Sequence, residues 1–340
     1  MKKVRWGVLG AARIAVTKVI PAMQRGEFCE VVAIASRELL TAQAVARELG
    51  ISKAYGSYGE LLADPEIDAV YNPLPNHLHV PWSVLAAEAG KHVLCEKPVA
   101  MNAEQTLELI AARDRTGVVI GEAFMVRTHP QWLRLVELVR GGRIGELRSG
   151  MSSFCYFNRD PKNVRSVRAW GGGALLDIGC YPIKTSRMVF GAEPLRVAGT
   201  IERDATLDGI DHITSAVLEY PAGQMVFTCC TQAAANQTAR YFGTKGNVSL
   251  DIPFNPAANE VARLRIDDGR DLSGGGLTVE EIPPCDQYTI QGDQFSRAIR
   301  EGSQPPVPLE DSLRNMAVID AIFRSAETRN WEEPRLPESL

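Results

Sequence analysis

The chain has 340 residues, 45% of them apolar and 23% charged, with a formal net charge of −4. This is a globular composition; it excludes disordered, collagen-like and coiled-coil readings, and the charge balance gives no whole-chain attraction to nucleic acid or anionic lipid. No stretch reaches the roughly 18 consecutive apolar residues of a membrane span. Arg5 and the early glycines interrupt any signal-peptide core, so a cytoplasmic protein is expected. The seven cysteines form no CxxC pair and cluster with no histidine, so they read as reduced thiols and no metal site is expected.

The first ~120 residues alternate short β-branched runs with helical patterns, the arrangement of an α/β doubly wound parallel sheet. Strands are expected at Val4–Leu9, Glu30–Ala35, Ala69–Tyr71, His92–Cys95 and Val118–Gly121. Helices are expected at Ala12–Gln24, Leu39–Leu49, His77–Ala89 (with Asn76 as N-cap) and Ala103–Arg115. The rhythm changes after ~122. A helix at Pro130–Val139 is followed by β-like runs at Arg148–Phe157, Ala216–Tyr220, Met225–Thr231, Val248–Leu250 and Leu264–Ile266. Gly-containing turns between them predict a mostly antiparallel sheet in an α+β domain. Helical patterns at Gln291–Arg300 and Leu309–Ser325 close the chain.

Three stretches carry chemistry. The first strand runs into Gly10-Ala11-Ala12-Arg13-Ile14-Ala15, a partial G-x-G-x-x-G/A pattern in which only Gly10 is glycine. Gly10 permits the tight turn and Ala15 allows close helix–sheet packing, whereas Ala12 replaces the glycine that usually lets backbone approach a pyrophosphate. The second strand ends at Ser36-Arg37 where an NAD-binding Rossmann domain usually has Asp or Glu. A hydroxyl and a guanidinium suit a 2′-phosphate, so NADP(H) is expected over NAD(H); an exposed loop arginine is the plain alternative.

The second stretch is Cys95-Glu96-Lys97-Pro98 at the C-terminal end of a strand, where open α/β sheets bind ligands. Lys97 there could stabilise a developing alkoxide, or be an ordinary solvated lysine. The third is Gly171–Pro182, a glycine-rich entry to a helix with Asp177 and Tyr181 on one face. Tyr181 can move a proton if a cation lowers its pKa, Lys97 could be that cation, and Asp177 can orient a substrate. A dipole-favoured carboxylate and a packed tyrosine would look the same. Pro182 is expected to kink or end the helix. Phe154, Tyr156, Trp170 and Phe254 offer flat faces to a substrate ring, or simple core packing. His129 sits near the domain junction, while His77, His92 and His212 read as structural.

Together Trp6–Ala15, Pro73–His79, Glu96–Pro98 and Gly171–Tyr181 resemble the glucose–fructose oxidoreductase / inositol dehydrogenase / rhizopine-catabolism (Gfo/Idh/MocA) oxidoreductase family. The chain is most similar to its branch of NADP-dependent xylose-type dehydrogenases and dimeric dihydrodiol dehydrogenases. The resemblance implies an NADP-binding Rossmann domain over 1–122 and a substrate and oligomerisation domain over 123–340. It implies a pyrophosphate seat at Gly10, Ala11, Ala12, Arg13 and Ile14, and a 2′-phosphate seat at Ser36 and Arg37. Leu74, Pro75, Asn76, His79 and Glu96 would line the cofactor. Lys97, Asp177 and Tyr181 would be catalytic, and the Lys97–Pro98 peptide is a cis candidate. Tyr181 stands where many relatives carry histidine, which favours a sugar or dihydrodiol enzyme.

The expected activity is hydride transfer between NADP(H) and a sugar or polyol, as an aldose dehydrogenase. Alternatives are a ketone or dicarbonyl-sugar reductase, a trans-dihydrodiol dehydrogenase, a glycosidase using bound NAD, and a non-catalytic dinucleotide sensor. The resemblance also implies a homodimer or homotetramer, built through the second sheet, with no nucleic-acid or membrane partner.

Overall fold

A computed structural model describes residues 2–338. Two compact units are present. The first takes in the chain up to Met125 and then Asp286–Leu313; the second takes in Val126–Cys285 and Arg314–Pro337.

The first unit is built on a six-stranded parallel sheet: β1 (Val4–Leu9), β2 (Cys29–Ala35), β3 (Lys53–Tyr55), β4 (Ala69–Asn72), β5 (His92–Glu96) and β6 (Ile120–Ala123). The spatial order is β3-β2-β1-β4-β5-β6. The strands are buried on both faces, which is why they read as apolar runs. Strand order reverses between β1 and β4, the position where doubly wound sheets bind dinucleotides. Trp6, Val8, Ile34, Tyr71 and Leu94 form the core with Phe295 from the helix Gln287–Glu301. Trp6 and Phe295 rings lie 5.7 Å apart, and the Trp6 indole N–H donates to Ser296 Oγ at 3.1 Å.

The helix after β1 spans residues 13–24, and its turn Ala15–Val19 is wound in the wider π form. Pro21 follows and lacks the N–H that an ordinary helix would need. Asn76 does not cap the next long helix. It opens a short 3₁₀ turn, Asn76–Leu78, and the helix His79–Glu88 begins after Leu78.

The second unit is an eight-stranded sheet: β7 (Leu147–Phe157), β8 (Arg196–Asp204), β9 (Ile210–Tyr220), β10 (Gly223–Cys230), β11 (Gln232–Gly243), β12 (Gly246–Leu250), β13 (Ala262–Asp267) and β14 (Leu277–Ile282). Its order is β14-β13-β12-β11-β7-β10-β9-β8, and only the β7–β10 pair is parallel among the described residues. The mostly antiparallel sheet is therefore as expected, but longer. β8, β11 and β14 have no counterpart among the expected strands. β11 is rich in Ala, Asn and Gln, and it is held by pairing along β7 and β12 rather than by its own propensity. The helix Pro130–Arg140 packs Trp132 among Tyr241 and Phe254, and the Trp132 indole N–H donates to the Pro253 carbonyl at 2.7 Å.

Candidate active-site residues

β1 ends at Gly10, whose φ of +95° only glycine adopts readily. A Cβ there would lie 3.0 Å from Leu74 Cδ2 and 3.6 Å from the Tyr58 hydroxyl. The turn is a cradle that a side chain would fill, which fits the pyrophosphate of a dinucleotide. Ala11, Ala12 and Ile14 are half-buried along it and Arg13 is exposed. At the end of β2, Ser36 Oγ accepts the Glu38 N–H at 3.4 Å, and the Arg37 side chain is exposed.

Tyr58 was not singled out from the sequence, although Ser57-x-x-Glu60 is a capping-box signature and Ser57 Oγ does accept the Glu60 N–H. The Tyr58 ring stands edge-on to Trp82 at 4.8 Å. Partial burial pushes its phenol up, and the positive charge of Arg37 opposes that rise.

Two turns meet at His79. Its ring nitrogens each lie 2.7 Å from a backbone carbonyl, Nδ1 from Pro98 and Nε2 from Leu74. Burial lowers its pKa to about 4 against the pull of both carbonyls. A neutral ring carries a single N–H, so His79 donates to one of these carbonyls and sits between the Pro73–Asn76 and Glu96–Pro98 turns. Buried Asn72 braces the same place, donating to the His79 carbonyl and to Ser83 Oγ at 3.0 Å each. Leu74 is buried, while Pro75 and Asn76 are half-buried.

Glu96 and Lys97 are half-buried, and the Lys97–Pro98 peptide is cis. Glu96 Oε1 accepts the Tyr71 hydroxyl at 2.6 Å and Oε2 accepts the Lys97 N–H at 3.1 Å. Burial raises the Glu96 carboxyl, with the Lys97 charge and these hydrogen bonds opposing it. The turn is tied down further by Glu122, whose Oε1 accepts the Val99 N–H at 3.0 Å and whose Oε2 accepts the Ser312 hydroxyl at 2.9 Å.

In the second unit the glycine run is demanded by crowding, not by flexibility. A Cβ on Gly172 would lie 2.4 Å from the Arg165 carbonyl oxygen. Gly173 has φ +118°, and a Cβ there would lie 1.9 Å from Asp211 Oδ1. The Asp211 carboxylate sits under the helix start, with Oδ2 accepting the Leu175 N–H at 2.7 Å and the Thr214 hydroxyl at 3.1 Å. The turn Leu175–Gly179 is again of the wide π form, and the helix continues as Cys180–Phe190. Pro182 therefore does not end the helix: the wide turn absorbs the missing donor, as it does before Pro21.

Asp177 is buried, and its Oδ2 accepts the Tyr156 hydroxyl at 2.6 Å and pairs with Arg165 Nε at 2.9 Å. Tyr181 is buried, 5.4 Å from the Phe154 ring and 5.3 Å from Phe254, which stack on each other. Trp170 is 41% exposed. Sequence spacing had no means of finding Arg165, because its partner is reached only through the fold. His129 caps the helix Pro130–Arg140 by accepting the Gln131 N–H, and His92 accepts the Val119 N–H. Among the described residues, no group of three or more His, Cys, Asp or Glu could hold a metal ion, and no helix is long and apolar enough to cross a membrane.

Residues 4–124 match a family model described as an oxidoreductase family with an NAD-binding Rossmann fold, and residues 132–249 match the corresponding C-terminal domain. An uncharacterized oxidoreductase of Rhizobium meliloti is 51% identical over 98% of this chain and 99% of its own length. A D-xylose 1-dehydrogenase (NADP(+)) of Haloferax volcanii is 40% identical over 95% of this chain and 97% of its own. A solved 3-ketoreductase of Actinomadura kijaniata, in complex with NADP and TDP-benzene, superposes with a TM-score of 0.89 at 31% identity, covering 95% of this chain and 98% of that one.

Burial dominates the Asp211 carboxyl and raises it from 3.8 to about 6, against the bonds from Leu175 and Thr214. A carboxyl raised in the folded state favours folding below its unfolded pKa, and that contribution is lost as pH rises through the folded value. Unfolding midpoints in urea should show the wild type losing ground to Asp211→Asn between about pH 4 and pH 7; a difference that stays flat across this window would show that the carboxyl is not raised.

Proposed function

The chain belongs to the Gfo/Idh/MocA oxidoreductase family, and on that premise we propose that it is an NADP(H)-dependent aldose dehydrogenase. The observation that carries the substrate class is the 40% identity, over nearly the full length of both chains, to an NADP-linked D-xylose dehydrogenase. Tyr181, standing where many family members have histidine, supports the same branch. On this reading the first domain, expected at 1–122, binds the cofactor and the second, expected at 123–340, binds the sugar, although Asp286–Leu313 returns to the first compact unit.

Gly10 through Ile14 would hold the pyrophosphate, Ser36 and Arg37 the adenosine 2′-phosphate, and Leu74, Pro75, Asn76, His79 and Glu96 would line the remainder. When bound, the nicotinamide supplies hydride acceptance or donation. In the oxidative direction Tyr181 takes the proton of the reacting hydroxyl. Lys97 donates to that oxygen and stabilises the negative charge that develops on it. Asp177 accepts from a neighbouring sugar hydroxyl and fixes the orientation of the ring. Phe154, Tyr156 and Trp170 offer it apolar faces. Run in reverse, the same residues reduce a ketone. That second reading is favoured by the likeness to a 3-ketoreductase.

We also propose that the chain works as a homodimer or homotetramer in the cytoplasm, using the open face of the second sheet. Met151 and Val226, neighbours across β7 and β10, are 46% and 43% exposed, a pairing that suits burial against a second copy.

Four measurements test these assignments. In a screen of aldoses, polyols, ketoses and dihydrodiols followed by reduced-nicotinamide absorbance, Lys97→Met and Tyr181→Phe should each lower kcat by about 100- to 10,000-fold. NADPH binding, read by fluorescence, should survive in both; normal turnover in either variant would remove that residue from the reaction. Arg37→Ala should raise the KM for NADP⁺ by about 10- to 100-fold and leave that for NAD⁺ unchanged. An equal effect on both cofactors would count against a 2′-phosphate contact. Met151→Asp combined with Val226→Asp should reduce the mass seen by light scattering, whereas an unchanged oligomer would place the interface elsewhere.

A further inference from the structure

The Asp177 carboxylate is held by two groups from outside its own helix. The phenol of Tyr156, from β7, donates to its Oδ2, and the guanidinium of Arg165 stands 2.9 Å from the same oxygen. The Asp177 side chain is 10% exposed and that of Arg165 44%, so the arginine reaches the carboxylate from the solvent side.

The main chain at Arg165 is pinned where it must be to do this. Its N–H donates to Asn163 Oδ1 at 3.0 Å, its carbonyl accepts the Gly173 N–H at 3.0 Å, and the next hydroxyl, Ser166, donates to the Asp160 carbonyl at 2.7 Å. Gly172 has room for no side chain because that same Arg165 carbonyl lies over it. The glycine run thus couples the Arg165 turn to the helix that bears Asp177 and Tyr181.

From this arrangement we propose that Arg165 is a positioning residue for the reaction: it keeps the Asp177 carboxylate ionised and fixes the oxygen that Tyr156 and the substrate share. A carboxylate this far from water is under pressure to take up a proton unless opposite charge stands beside it. Guanidinium stays charged in this range, and the charge of Asp177 outweighs the desolvation that works against it. The other titratable groups that the surrounding elements bring are Tyr156 on β7, Asp211 on β9, Cys229 on β10, and Tyr181 and Lys184 on the helix. Asp211, Cys229 and the two phenols add charge, when ionised, of the sign that disfavours a second carboxylate; Lys184 has the opposite sign, and Arg165 is a cation in direct contact with the Asp177 oxygen, at 2.9 Å. Arg165 is itself held protonated, chiefly by the charge of Asp177, and Tyr156 is pushed up by burial and then by Asp177. Both shifts agree with an ionised carboxylate bonded to a neutral phenol.

The importance for turnover rests on the role proposed above for Asp177, and the test separates the two. The protein would be labelled with ¹³C at the aspartate carboxyls and titrated by NMR, the Asp177 signal being assigned from its loss in Asp177→Asn. Arg165→Ala should raise the Asp177 midpoint by about 1 pH unit or more, and Arg165→Lys should return it most of the way. Since Arg165 lies at the surface, folding is checked by circular dichroism alongside. An unmoved midpoint in folded Arg165→Ala overturns the proposal. The acid limb of kcat/KM with D-xylose and NADP⁺ should move up by the same amount. A shifted midpoint with an unmoved acid limb would uphold the ion pair's effect on Asp177 and remove Asp177 from the reaction.

Discussion

A buried carboxylate oxygen shared by a phenol and a guanidinium organises the second unit around Asp177. Desolvating an ionised group is costly unless opposite charge and hydrogen bonds replace the lost water. Tyr156 and Arg165 do so at Asp177. The helix opens in a wide turn, Leu175–Gly179. Its entry carries no side chains at 172 and 173 because the Arg165 backbone and the Asp211 carboxylate occupy that space. Asp211 then satisfies the Leu175 N–H at the helix start, a second buried carboxylate placed against backbone donors.

The first unit meets a related demand at the ends of its strands. The segments after β4 and β5 are loops at strand ends, and loops hold shape only if their polar groups are satisfied. His79 lies between the Leu74 and Pro98 carbonyls and donates to one of them, Asn72 ties the helix start, and Glu122 and Glu96 accept from backbone N–H groups on either side of Pro98. Lys97 is thereby carried on a turn with little freedom. Pre-organisation of this kind suits the role proposed for Lys97, since stabilising a developing charge then requires no reorganisation during reaction.

The parts legible in the sequence were those written locally. Strand periodicity, the Gly10 turn and the long helices at Leu39–Leu49 and Ala103–Thr116 follow from side-chain pattern and capping, and need no distant partner. The Glu96-Lys97-Pro98 and Gly171–Tyr181 motifs stood out because their residue types are unusual neighbours. What stayed hidden was non-local: β11, whose Ala- and Asn-rich residues become a strand only between β7 and β12, and Arg165, which acquires its meaning twelve residues away across a turn. The helix Gln287–Glu301, which carries Phe295 onto Trp6, joins the first sheet after more than 150 intervening residues.

By itself, then, the sequence determined the two sheet types, the order of the first βα units and the residues able to carry proton and charge chemistry. These depend on hydrophobic period, turn stereochemistry and side-chain functional groups, all properties of short stretches. Tertiary structure alone decided which polar groups lose water and what replaces it. That choice set His79 between two carbonyls, raised Asp211 and placed a cation against Asp177, because desolvation and Coulomb attraction depend on distances through space that no chain spacing encodes.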